Sequence, residues 1–586
     1  MTKLSAIPVA AIFALIVSAT VLGSAPVDVR VSVGNSGTPF SQNKQNEPAI
    51  AVDASHPTVL VAASNDEIDM EDCNAGDPKI CPFTPGVGVS GVYFSFDSGK
   101  TWTQPTYTGW TARHCYDPNP LHAGYTCTPK VGPIGTLPFY FENGLVADGD
   151  PALAFGPRLV GGSFSWNNGS RLYYANLTSN FSSVPANETF NGFEAIAVSR
   201  TDNVHTAALG GDTGKGAWTQ PVIISRQSGT TFSDKEQIWA DNASSSPFFG
   251  NVYVCWAKFQ SSMNSSAAPA QLQVAVSSDG GDTWTEHPIG AAANNSERNP
   301  LDGCTIRTDS TGTAYVFGIG TISSQGHQSF ELMSKSTDGG ARWSNPTPVA
   351  GPVTQPGVRD PVLHRPVIDG IAGARSDLAP APSVDIANGA PTGADATDRI
   401  VMTYVSGEIT KPHVYFTEST DKAQTWSTPR TIEGAADRGY YTAPSISPDG
   451  TSVYVVYNAF TTAYQPTTGT PRTLVGVFLK AASSTNPAHP TGAFSEIKRG
   501  APGDPRGSSQ NNLLGEFLGD YVYSVATRDY GAGVYNDTRG AADCPKLDAW
   551  RQSLRDGTPG VARPAPEQDC APTLGNSDIF GFTTSP

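Results

Sequence analysis

The stretch Ser95-Phe96-Asp97-Ser98-Gly99-Lys100-Thr101-Trp102 recurs as Ser277-Ser278-Asp279-Gly280-Gly281-Asp282-Thr283-Trp284, as Ser336-Thr337-Asp338-Gly339-Gly340-Ala341-Arg342-Trp343, and as Ser419-Thr420-Asp421-Lys422-Ala423-Gln424-Thr425-Trp426. The shared form S-x-D-x-G-x-T-W carries the chemistry of a tight hairpin turn. The Asp carboxylate accepts turn N–H groups, Gly takes a positive φ, the Ser and Thr hydroxyls close the loop, and Trp packs its ring beneath. Each copy therefore marks a fold element rather than a reactive centre. Arg342 in place of Thr and Ala423 in place of Gly are departures that a geometric role tolerates. A degenerate copy is read at 199–218.

A second repeat precedes the boxes. It reads Asn46-Glu47-Pro48-Ala49-Ile50, Asp148-Gly149-Asp150-Pro151-Ala152, Asp234-Lys235-Glu236-Gln237-Ile238 and Asp302-Gly303-Cys304-Thr305-Ile306, with later versions around Ala381, Tyr441 and Glu516-Phe517-Leu518-Gly519-Asp520-Tyr521. Alternating strands such as Val252-Tyr253-Val254-Cys255-Trp256 and Val453-Tyr454-Val455-Val456-Tyr457 follow. The unit is three strands, a box turn and a fourth strand. Seven such units with few helical periods predict an all-β chain forming a single β-propeller of four-stranded blades, since one blade cannot bury its faces alone. A six-blade count requires that one unit be a decorated insertion. The last unit is a strand short, and 27–33 is expected to supply it, closing the ring and removing an exposed edge.

Residues 1–25 run from Lys3 through an apolar stretch, Ala6 to Leu22, into the small residues Gly23, Ser24 and Ala25. That order is expected of a secretory signal, leaving 26–586 as an exported propeller with no other membrane segment. With 37 Lys+Arg against 53 Asp+Glu the net charge is −16, and no basic run of the kind that neutralises phosphates occurs, so nucleic acid is excluded as a partner. Eight cysteines suit an oxidising compartment. Local pairing is the simplest expectation for Cys73 with Cys81, Cys115 with Cys127, and Cys544 with Cys570. Cys255 and Cys304 are equally well read as a bridge between units or as two buried thiols. His114 and His122 beside Cys115 and Cys127 lack a zinc-site spacing, so no metal or cofactor is expected. Gly210 to Lys215 looks like a phosphate loop but has Gly216 where Ser or Thr is required.

Strand order places the box turns on one face and the inserts 66–90, 103–146 and 540–577 on the other, with a short helix predicted at 547–555. Polar residues opening the innermost strands should rim the axial pocket there: Glu47, Asp148, Asp150, Asp234, Lys235, Glu236, Arg298, Asp302, Arg359, Asp360, Tyr440, Tyr441, Glu516, Asp520 and Tyr521. Ends of second strands add Asn65, Asp66, Asn167, Asn536, Asp537 and Arg539. Carboxylates, Arg and Tyr in one cavity are the parts needed for acid/base work and a covalent intermediate.

The boxes, known as Asp-boxes, and the strand pattern make residues 40–584 resemble the sialidase (neuraminidase) and BNR-repeat superfamily. The resemblance implies an exo-acting hydrolase that releases terminal sialic acid, with three Arg on the sugar carboxylate, an Asp acid/base, and a Tyr nucleophile helped by Glu, an exception to the usual pair of carboxylates. The chain departs from the family at the first blade, where Asn46-Glu47-Pro48 stands in place of Arg-Ile-Pro and no Arg occurs between Arg30 and Arg113. By position, Asp234, Glu236, Asp520 and Tyr521 are the catalytic candidates. Arg298, Arg307, Arg359, Arg365, Asp66, Asp150, Tyr440 and Arg539 are the substrate-binding candidates. The expected activity is that of a secreted, monomeric, sialidase-like glycoside hydrolase acting on terminal, acidic sugars. The alternative is a propeller at the cell surface that binds glycan or protein without turnover.

Overall fold

A computed structural model describes residues 28–35, 40–72, 84–115, 128–260, 268–290, 298–484 and 490–586. Seven innermost strands, Gln45–Val52, Ala152–Val160, Thr231–Ala240, Arg298–Thr308, Ser383–Ile386, Arg438–Ile446 and Tyr523–Ala526, pack each against the next around an axis, and the seventh returns to the first. Each opens an antiparallel blade. The chain is thus a seven-bladed β-propeller; the six-blade count is discarded. In the first blade the fourth position shrinks to one pairing of Phe94 with Thr103.

The period of two explains how the blades stick together. Along Val252–Gln260, Val252, Val254 and Trp256 pack on Ala152, Ala154 and Tyr173 of the preceding blade, while Tyr253, Cys255 and Ala257 face Ile306 and Val316 of the next. Both faces of each blade are apolar because both are covered. Cys255 and Cys304 bridge those two neighbouring blades, which resolves the open pairing. Cys544 is joined to Cys570 as expected. Cys115 is disulfide-bonded; Cys73, Cys81, Cys127 and the signal segment lie outside the described residues.

The repeated turns have the expected hydrogen bonds. Asp97 Oδ1 accepts from the N–H of Thr101 at 2.9 Å and its Oδ2 from the Thr101 hydroxyl at 2.6 Å, while the N–H of Gly99 donates to Ser95 Oγ at 2.9 Å. Where Arg342 replaces Thr, its Nε donates to Asp338 at 2.8 Å instead. Ala423 occupies the Gly position at φ 60°, a left-handed conformation that costs an L-residue about 1 kcal/mol. The degenerate copy is expanded into two short helices, Val204–Ala207 and Gly211–Lys215, before Trp218 pairs with Thr201. The phosphate-loop look-alike is the second of these helices.

Ring closure follows the expected route: Val29 and Arg30 pair with Gly581 and Phe580, completing the last blade. The 540–577 insertion forms the helix Pro545–Asp556, begun by Pro and ended by Gly557 at φ 64°. It buries Leu547 and Trp550 against Phe40, Leu513 and Leu574. Arg555 bonds Asp360 at 2.8 Å, tying the insertion to the long link between the fourth and fifth blades.

Candidate functional site

Four of the seven innermost strands are interrupted near their starts. Pairing with the second strand shifts between Asn46 and Ala49, Asp234 and Gln237, Asp302 and Thr305, and Gly439 and Thr442. At the corresponding places Glu47, Asp150, Lys235, Gly303 and Gly519 have φ of 57°, 52°, 59°, 58° and 76°. Bulges of this kind re-aim a side chain, and left-handed non-glycine residues cost on the order of 1–3 kcal/mol each unless surroundings impose them. Here three consecutive blades accept that strain at Glu47, Asp150 and Lys235. The three side chains converge.

The Lys235 ammonium lies 2.7 Å from Asp520, 2.8 Å from Asp150, 3.8 Å from Asp234 and 4.0 Å from Glu47. Arg375 clamps Asp520 through Nε at 2.8 Å and through Nη2, which also reaches Glu47 at 3.0 Å. Asn65 donates to Glu47 at 3.0 Å and accepts the backbone N–H of Asp150 at 2.7 Å. Tyr441 donates to Asp520 at 3.0 Å. Asp234 and Arg375, with side chains 20% and 14% exposed, form the solvent edge of the cluster.

Environment separates these carboxyls. Burial raises Asp520, but Arg375 and Lys235 more than offset it and hold the group down to about 2. Asp150 is likewise held low against its burial, chiefly by Lys235. Burial, with Lys235 opposing and Asp150 assisting, pushes Asp234 up to about 7, and burial pushes Asp302 up to about 6. Glu47 is raised well above the carboxylate range by burial and by Asp150. An ionised carboxylate beside one that is half protonated at neutral pH is the division of labour acid/base chemistry requires.

Deeper along the axis a cavity of about 50 Å³ is bounded by Lys235, Glu236, Asp520 and Tyr521. Both Glu236 oxygens and the Tyr521 hydroxyl are buried without a hydrogen-bond partner. Lys235 stands 5.6 Å over the Tyr521 ring. Among the described residues no group of three or more His, Cys, Asp or Glu is disposed to hold a metal ion.

The four catalytic candidates and Asp150 are therefore neighbours, while the substrate-binding candidates scatter. Tyr440 spends its hydroxyl on the carbonyl of Arg375 at 2.6 Å. Asp66 is buried among Gln45, Tyr93 and Gln104. Arg539 is bonded to Asp28 and Asp537. Arg359 is exposed on a two-stranded hairpin, Val358–Arg359 with Pro366–Val367, and Arg365 pairs with Asp377 at 3.0 Å. Arg307 lies at the other end of the axis, 3.5 Å from Asp385. Arg298 opens its strand opposite Ile322, and its side chain lies outside the described residues. Of the remaining rim residues, Glu516 is bonded to Arg472 away from Lys235, and Asp148 shares a buried carboxyl pair with Glu194. Arg375, which orders the site, belongs to no repeat.

No profile of a known protein family matches the chain, and no curated protein does. Among solved structures, a Hadza microbial sialidase aligns at 12% identity over 71% of this chain and 63% of its own, with a TM-score of 0.38. The intramolecular trans-sialidase from Ruminococcus gnavus aligns at 13% identity over 74% and 94%, TM-score 0.38. The phage phi92 endosialidase aligns at 10% over 93% and 68%, TM-score 0.36. The chain thus spans less than two thirds of the first of these. Likenesses this distant bear on neither substrate nor reaction.

Proposed function

We propose that the protein is a secreted glycoside hydrolase whose reaction centre is the Lys235 cluster. The observation that carries this reading is the split between Asp234, near 7, and Asp520, near 2, around one ammonium group. Asp234 gives its proton to the departing glycosidic oxygen. Asp520, ionised and positioned by Arg375 and Lys235, faces the positive charge that develops at the sugar carbon, and a water then adds to that carbon and gives its proton to the Asp234 carboxylate. The nearest oxygens of Asp234 and Asp520 lie 3.8 Å and 2.7 Å from Nζ, so they are separated by no more than the sum, about 6.5 Å.

The sugar we propose is neutral. A sialic acid or uronic acid needs an uncommitted cation for its carboxylate. Lys235 and Arg375 are both already engaged by Asp150, Asp520 and Glu47, and the rim adds Asp302 and Asp377. The sialidase activity expected from the resemblance therefore gives way to hydrolysis of uncharged glycosides. Export is supported by the Cys255–Cys304 and Cys544–Cys570 bridges.

Incubating the mature protein with aryl glycosides of neutral hexoses, pentoses, sialic acid and glucuronic acid tests the reading. Release from a neutral glycoside that is lost in Asp234→Asn supports it; release from sialosides alone refutes the choice of sugar. A non-catalytic, glycan-binding role is favoured by one feature, the void of about 50 Å³ beside Lys235, which holds a few waters rather than a pyranose. Glycan binding with no turnover on any substrate would establish that role.

A further inference from the structure

The axis also opens on the face of the hairpin turns. There the ends of the innermost strands enclose a cavity of about 180 Å³, many times the 10–15 Å³ that one water needs. Ala49, Ala51, Ala154, Phe155 and Ile446 supply an apolar part of its wall. Set into that wall is a polar group of planar side chains. Arg307 stacks on Trp239 with its guanidinium carbon 4.6 Å from the ring centre. Its Nη1 donates to the carbonyl of Ile306 at 2.7 Å, and its Nε faces Asp385 at 3.5 Å. Asn388 and Asn242, joined by a 2.7 Å bond, also line the cavity.

We propose that this cavity is a second ligand site, for a neutral pyranose, separate from the Lys235 cluster. A guanidinium beside a carboxylate, their side chains 12% and 16% exposed, suits a hydroxyl, which accepts from one and donates to the other. The alanine wall suits the C–H face of a sugar ring, and a mostly apolar pocket with a few fixed polar groups is the usual form of a small-molecule site. Charge argues against an anionic ligand, because Asp53, Asp385 and Asp529 line the cavity against Arg307 and Arg528. Arg307 is offset by Asp385, and Arg528 at the rim is held by Asp395 at 2.7 Å and 2.9 Å.

The test is titration of the full chain with methyl glucoside, galactoside and mannoside and with glucuronate, followed by tryptophan fluorescence and ligand-observed NMR. At least one neutral pyranoside is expected to bind saturably, at millimolar concentration, to the wild type and to Asp234→Asn. Binding should weaken at least ~10-fold in Arg307→Met and in the isosteric Asp385→Asn, the loss of a hydrogen bond to a charged group. Trp239→Phe should keep binding by NMR and lose most of the fluorescence change, an arm that does not depend on the Arg307 variant folding. No saturable binding up to about 100 mM, weaker than any useful affinity, would overturn the proposal. So would binding indifferent to Arg307 and Asp385, or a preference for glucuronate. Turnover plays no part in the readout, so absence of hydrolysis at Lys235 leaves this result standing.

Discussion

Replacing Lys235 by Met is the sharpest test of the cluster, because one ammonium is shared among four carboxyls. At an effective dielectric of about 20, contacts of 2.7 Å and 2.8 Å to Asp520 and Asp150 each amount to roughly 6 kcal/mol of gross attraction. Desolvation of the buried charges offsets much of that, and removing one partner of a buried pair costs about 3–5 kcal/mol net. The expected loss for Lys235→Met is therefore about 3–5 kcal/mol. If it arises from carboxylates left facing one another, neutralising one of them should restore stability. Adding Asp150→Asn should recover about 2 kcal/mol rather than add its own cost. The pH dependence has a definite sign. Without the ammonium, burial lifts the folded-state pKa of Asp150 above that of the unfolded chain while Arg375 still holds Asp520 down, so the folded state binds more protons at Asp150 and stability falls as pH rises. Urea unfolding of the four members of the cycle at about pH 5 and about pH 8 measures both effects. Additivity within about 0.5 kcal/mol, or a deficit that grows toward low pH, would refute the account of the site.

Turnover of a neutral glycoside should decline as pH rises through about 7, where Asp234 loses its proton, and Asp234→Asn should abolish both the rate and that limb of the pH profile. Gly519→Ala places a Cβ 2.1 Å from Glu47 Cγ at φ +76°; it should impair stability and activity together, measured by thermal unfolding and initial rates. Paired Cys255→Ala and Cys304→Ala substitutions open a bridge spanning 49 residues and should cost about 4 kcal/mol by chain entropy, read as a lower urea midpoint. Asp279→Ala deprives the Thr283 and Asp282 N–H groups and the Ser277 and Thr283 hydroxyls of their acceptor. It should lower the midpoint by an amount equivalent to about 1–3 kcal/mol and leave turnover by the folded protein unchanged.

What could be read from the sequence was what is local or repeated. Asp97, Asp279, Asp338 and Asp421 close turns with partners two to four residues away, so their spacing alone carried the hairpin. Glu47, Asp150, Lys235 and Asp520 were legible because the bulge that aims them recurs from blade to blade. Arg375 was not, since it comes from a connecting segment with no counterpart in the other units. Nor did being polar at a strand start decide where a side chain points. Tyr440 bonds backbone, and Glu516 lies in a buried ion cluster with Arg472 and Asp369. Arg307 lies far enough along its strand to reach the opposite opening, and strand position along the axis is set by bulges that composition does not reveal.

Because Val29 and Arg30 pair with the strand Asp578–Thr583, a segment synthesised early waits for one synthesised long after it. Nascent protein can stack its blades in order, yet the seam stays open until that strand has emerged. A chain stalled or clipped before that point would keep a bare sheet margin, the kind of edge through which polypeptides associate wrongly.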